Sequence, residues 1–148
     1  MALKRRRPGL VYPTNEDWHY VGDTGEPAFE TGWANTASDR NLAFRVRETG
    51  IVDIQGYIEN VNAPSSPPTG IFTLPAGYRP TYDTFEGSST VNVAGGTTRG
   101  YAPVPLNVAS TGAVALLTVD FSLQFGGTPY IHYAYIQGQF FLTPSSAP

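Results

Sequence analysis

The run Leu42-Ala43-Phe44-Arg45-Val46-Arg47-Glu48-Thr49-Gly50-Ile51-Val52-Asp53-Ile54-Gln55-Gly56-Tyr57-Ile58-Glu59 decides the fold class. Leu42, Phe44 and Val46 point one way while Arg45 and Arg47 point the other, the period-two signature of a strand with one buried face. Thr49-Gly50 is a turn signal. Beyond it Val52, Ile54 and Ile58 share one side with Gly56. Ile51, Asp53, Gln55, Tyr57 and Glu59 share the other. Two such runs across a short polar turn make an antiparallel hairpin, apolar inside and polar outside.

Working outward, the same pattern recurs at short spacing. Upstream, Phe29, Thr31 and Trp33 continue one side of a first strand, with Trp33 as a core anchor. Thr36–Asn41 is a polar turn. Downstream, Asn60–Thr69 is a Pro/Ser loop, and Ile71-Phe72-Thr73-Leu74 forms a strand stopped by Pro75. In the corner that follows, Gly77 can take a positive φ without a Cβ clash, and Pro80 biases Arg79 to an extended conformation. Ser88–Ala94 is a short strand with Val91 and Val93 inward, and Gly95–Thr98 is a turn. Gly100–Val108 is an edge strand broken by Pro103 and Pro105. Ala113–Phe125 is expected to be one strand with Leu117, Val119, Phe121, Leu123 and Phe125 inward. Val114 and Leu116 fall on the wrong side, so a bulge is placed near Leu116-Leu117. Tyr130–Leu142 is aromatic on both faces, with a bulge at Gly138, and belongs either in a sheet centre or at a subunit interface. The sum is about eight or nine strands and no amphipathic helix: an all-β, antiparallel, jelly-roll-like β-sandwich.

Composition agrees. The 148 residues suit one domain large enough to bury a core, and 13% aromatic residues argue against a disordered chain. With no cysteine there are no disulfides and no thiolate chemistry. A net charge of −3 supplies no global field for nucleic acid or an anionic membrane. No apolar run approaches the roughly 20 residues of a membrane-spanning helix. Lys4-Arg5-Arg6-Arg7 is followed by Pro8-Gly9 rather than an apolar stretch, so no secretory signal is expected. Residues 1–17 are expected to form an extended basic arm, 18–143 the β-sandwich domain and 144–148 a polar tail.

The succession Trp18, Gly32-Trp33-Ala34-Asn35, Leu42-Ala43-Phe44-Arg45, Gly50-Ile51-Val52-Asp53-Ile54-Gln55-Gly56 and Ile71-Phe72-Thr73-Leu74-Pro75-Ala76-Gly77-Tyr78-Arg79-Pro80 resembles a known family. It is similar to the small β-sandwich head domain at the distal ends of tailed-bacteriophage tail fibres and related minor tail proteins, from about Trp18 to Leu142. The resemblance implies a homotrimer around a threefold axis, with ligand sites at distal loops or between subunits, on a protein of the virion surface. It names no catalytic residue. Two roles follow: an adhesin of the tail fibre or tail tip that binds a host cell-surface polymer, or a capsid decoration protein or short head spike. In either role Lys4, Arg5, Arg6 and Arg7 are candidates for anchoring to another virion protein.

Chemistry-bearing residues are sparse. His19 and His132 are far apart, and no ligand-spaced set marks a metal site. No Gly-x-Ser-x-Gly elbow is present. Asp53 with Glu59, or Asp83 with Glu86, are the carboxylate pairs a glycosidase would need, but the first pair alternates to the solvent face and is expected to be plain surface. The expectation is a non-enzymatic protein without cofactor or metal. Binding is better provided for, because tyrosine offers a broad apolar face and a hydroxyl at low entropic cost. Trp18, Tyr57, Tyr82, Tyr101 and Tyr130 are the candidate ligand contacts, and a saccharide is the candidate ligand.

Overall fold

The computed structural model describes residues 16–65, 69–95, 98–117, 121, 125 and 127–142. Lys4–Arg7, the rest of the expected arm through residue 15, and residues 143–148 lie outside these. Among the described residues nine antiparallel strands form one continuous sheet that curls into a half-barrel. They are β1 (His19–Tyr20), β2 (Trp33–Asn35), β3 (Ala43–Val46), β4 (Ile51–Asn60) and β5 (Gly70–Thr73), followed by β6 (Thr84–Gly95), β7 (Thr98–Val108), β8 (Ala113–Leu116) and β9 (Tyr130–Phe141). The strand order is β1-β3-β4-β9-β6-β7-β8-β5, with β2 paired to the far part of β4. The all-β antiparallel expectation holds, and its two layers are two wings of a single hydrogen-bonded sheet.

The β3–β4 hairpin is where the alternation placed it, with Phe44 opposite Ile54 and Val46 opposite Val52. Val52, Ile54 and Ile58 are fully buried, as are Val91 and Val93 on β6. The wings face each other across this core: Phe44 of β3 stacks on Phe72 of β5, ring centroids 5.9 Å apart, although the two strands lie near opposite ends of the sheet. A bridge between Phe29 and Phe72 and a hydrogen bond from Glu30 N to Ile71 O (2.8 Å) tie the wings together at one edge. Strand β9 is central, paired to β4 on one side and β6 on the other.

Several local expectations are corrected. Gly77 does not use the positive φ open to it; it lies in a 3-10 turn, Ala76–Tyr78, closed by Tyr78 N to Pro75 O at 3.0 Å. The left-handed glycine at this corner is Gly112 (φ 93°), whose carbonyl accepts from Leu74 N. Strand β7 runs unbroken through Pro103 and Pro105. Pro105 O accepts from Leu117 N. The Pro105 nitrogen therefore faces the same side, towards the end of β8 and away from β6, so the missing donor does not interrupt the ladder to β6. Strand β8 stops at Leu116, and it is Val114 and Leu116 that are buried. Phe125 N donates to Phe121 O at 3.0 Å, a helical i to i−4 bond, and both rings are buried. A spacing of four fits two strand periods and one helical turn alike, so alternation could not separate them. The rest of that expected strand lies outside the described residues. The irregularity in β9 is opposite Asn92/Val93, at His132, and not at Gly138, which pairs in register with Ile54. Phe29–Thr31 contributes only the single bridge, and β2 begins at Trp33, which is buried as expected.

Candidate functional site

The outer face of the β1-β3-β4-β9 wing carries the polar half of each alternation. Tyr20, Ala43, Gln55 and Gln137 stand in one cross-strand row, and Tyr57, Tyr135, Thr90 and Pro103 in the next. A third row runs Glu59, Tyr133, Asn92, Tyr101. Tyr57 stacks on Tyr133 at 5.5 Å and lies 6.3 Å from Tyr135. Burial, and then the nearby Tyr101, Tyr133 and Glu59, push the Tyr57 hydroxyl above its ordinary pKa.

Against this face lies the β2–β3 loop. Arg40 O accepts from Tyr57 N (2.8 Å), and Leu42 N donates to Asn35 Oδ1 (2.8 Å). The loop can come so close because position 56 is glycine: a Cβ there would sit 2.3 Å from Leu42 Cα and 2.8 Å from Asn41 O. Between loop and sheet opens a cavity of about 240 Å³. Trp18, Tyr20 and Tyr135 form its aromatic walls, Asp39, Arg40, Asn41 and Gln55 its polar ones, and Ala43 and Gly56 complete the lining.

The walls are braced from behind. The Arg45 guanidinium lies over the Trp18 ring, 4.3 Å from its centroid. Arg45 Nε is 3.5 Å from Asp53 Oδ2, and Arg47 binds the same carboxylate through both oxygens at 2.5 and 2.7 Å. Asp53 is only 5% exposed, which corrects its reading as plain surface. Two arginines fold over it, a tertiary arrangement that alternation does not encode.

On the inner side of β1 lies a second cluster. His19 Nδ1 meets Glu26 at 2.8 Å and Nε2 meets Glu16 and Tyr78 Oη, each at 3.0 Å. Tyr78 also donates to Glu16, whose other oxygen accepts from Val46 N (3.1 Å). His19 stacks on Phe44 at 5.2 Å. Burial alone would lower the His19 pKa, but the hydrogen bonds to Glu26 and Glu16 outweigh it and raise the value. Burial would raise Glu16, and the bonds from Tyr78, His19 and Val46 N bring it below the ordinary range. Both ring nitrogens of His19 are thus engaged, and no group of three His, Cys, Asp or Glu poised for a metal ion occurs among the described residues. Nor, among those residues, is any helix long and apolar enough to cross a membrane.

The five sequence-predicted contacts do not form one site. Trp18 lines the cavity. Tyr57 is half-buried in the tyrosine stack next to it, and Tyr101 projects from the third row, 71% exposed. Tyr130 is half-buried, 6.4 Å from His132. Tyr82, 77% exposed, precedes β6, away from the cavity lining. Next to it Asp83 accepts from Ser110 N (2.7 Å), a turn-fixing bond that holds its pKa below the ordinary value. Sequence reasoning missed Tyr20, Asp39, Arg40, Asn41, Gln55 and Tyr135. Alternation marks Gln55 as outward and polar; nothing local says that a loop folds over it. No family model matches the chain, and no curated protein matches it either.

Proposed function

We propose that the chain is a non-enzymatic structural protein of a bacteriophage virion surface, an adhesin of the tail-fibre or tail-tip type that binds a host cell-surface polymer as a homotrimer. The observation that carries the reading is the outer face of the β1-β3-β4-β9 wing, where an open aromatic and amide-lined cavity continues into stacked tyrosines on a rigid sheet. Aromatic faces and planar amides on a preformed scaffold suit recognition without chemistry. The test is adsorption: particles lacking the protein should bind host cells several-fold more slowly. Unchanged adsorption overturns the adhesin role.

A second reading, a capsid decoration protein or short head spike, draws on the bonding of Glu16. Its side chain is tied to Tyr78, His19 and Val46, so the chain enters the sheet from a fixed point. Lys4–Arg7 would then act from that point as the anchor to the shell. Deletion of residues 1–7 should abolish incorporation into particles in this case; normal incorporation rejects it.

A further inference from the structure

We propose that the cavity between Trp18 and the β2–β3 loop binds a single ring of a neutral saccharide; the inference rests on the adhesin reading and deepens it. The aromatic walls match the apolar C–H face of a sugar ring. Asn41 and Gln55 each present a carbonyl acceptor and an amide donor, the pairing that hydroxyl groups require, because every hydroxyl both gives and accepts. Asp39 and Arg40 are adjacent in the lining and opposite in charge. They add acceptors and donors without a net field, which disfavours an anionic or cationic ligand.

Size points the same way. At about 240 Å³ the cavity is smaller than the roughly 300–1,000 Å³ typical of drug-sized sites. One ring fits, and the open mouth leaves the remainder of a polymer in solvent or along Tyr57 and Tyr133. The walls are also set before any ligand arrives. Arg45, held beside Asp53, fixes Trp18, and the Tyr57 N to Arg40 O bond fixes the loop. Preorganisation of this kind reduces the ordering a ligand must impose.

The test is ligand-observed NMR on the full chain with glucose, galactose, mannose, N-acetylglucosamine and their linear oligomers, with sialic acid and sulfate as charged probes. At least one neutral sugar should bind saturably, with a Kd on the order of millimolar. Gln55→Ala, an exposed substitution that leaves the core intact, should weaken it about tenfold, and Trp18→Ala as much or more. Tyr82→Ala should leave it unchanged. Absence of saturable binding by every neutral probe overturns the proposal. So does binding that survives both Gln55→Ala and Trp18→Ala, or a preference for the charged probes. The two readings fail separately. If the sugar binds as described but particles without the protein adsorb normally, the adhesin role falls and the site stands. If adsorption needs the protein but Gln55→Ala and Trp18→Ala particles adsorb like the parent, the site falls and the adhesin role stands.

Discussion

His19 shows how much one side chain can organise without being legible from its neighbours in the chain. It joins Glu16 and Glu26 to Tyr78 of the 3-10 turn and packs flat on Phe44. Its raised pKa means that its contribution to stability is complete below the ordinary value of 6.5 and is lost as pH rises through the folded-state value. Glu16 has the opposite sign: its contribution is present above the ordinary 4.5 and is lost as pH falls through its lowered value. The cluster therefore stabilises the fold most between those two ordinary values. All three ionic groups are partly exposed, so solvent screening keeps the effect below about 1 kcal/mol. Thermal melts should show a midpoint lower near pH 9 than near pH 6, by no more than about 2–4 °C. His19→Gln should remove that alkaline slope while leaving the sheet signal in circular dichroism intact. A slope that persists in the variant would assign it to another group. Sequence spacing gave no hint of this cluster, since Tyr78 is 59 residues from His19.

At the scale of elements, the corner after β5 separates two glycines by what surrounds them. Gly77 has a right-handed conformation and nothing within 4 Å of an added Cβ. Gly77→Ala should be neutral or stabilise by up to about 1 kcal/mol, by reducing the freedom of the unfolded chain. Gly112 has φ 93°, and a Cβ there would meet Leu74 O at 2.6 Å and Arg79 Nε at 2.7 Å. Gly112→Ala should cost about 1–3 kcal/mol. Urea unfolding of the two variants checks the contrast, and similar midpoints would contradict this account of the corner. Pro75 and Pro80 made the corner readable in the sequence. Which glycine needed its freedom was not readable, because the answer depends on the chain at Gly112 returning to meet Leu74.

For the whole molecule, the exposed apolar surface bears on assembly. Phe141 at the end of β9 is 65% exposed and is paired with Ile51 on the same outer face. Burying such a side chain against a second copy would remove its apolar area from water. The proposed homotrimer should appear in light scattering at about three times the 16.0 kDa chain mass. Phe141→Asp should shift the population towards monomer without loss of sheet content. A parent protein that is monomeric across the accessible concentration range would reject the trimer.

The alternation of Leu42–Val46, Ile51–Glu59 and Ser88–Ala94 determined by itself that this is an antiparallel all-β protein, because period two commits each side chain to one face wherever it ends up. It also determined Trp33 and Val91 as core. The sequence did not say which faces would meet, and it extended the strand at Ala113–Leu116 on to Phe121 and Phe125, where strand and helical spacings coincide. Only the tertiary structure decided that one sheet curls so that Phe44 meets Phe72. It also decided that Asp53 is buried under two arginines, and that the β2–β3 loop closes over Gly56 to make a cavity. Each of these depends on residues far apart in the chain, and their contact energies appear only once the backbone has brought them together.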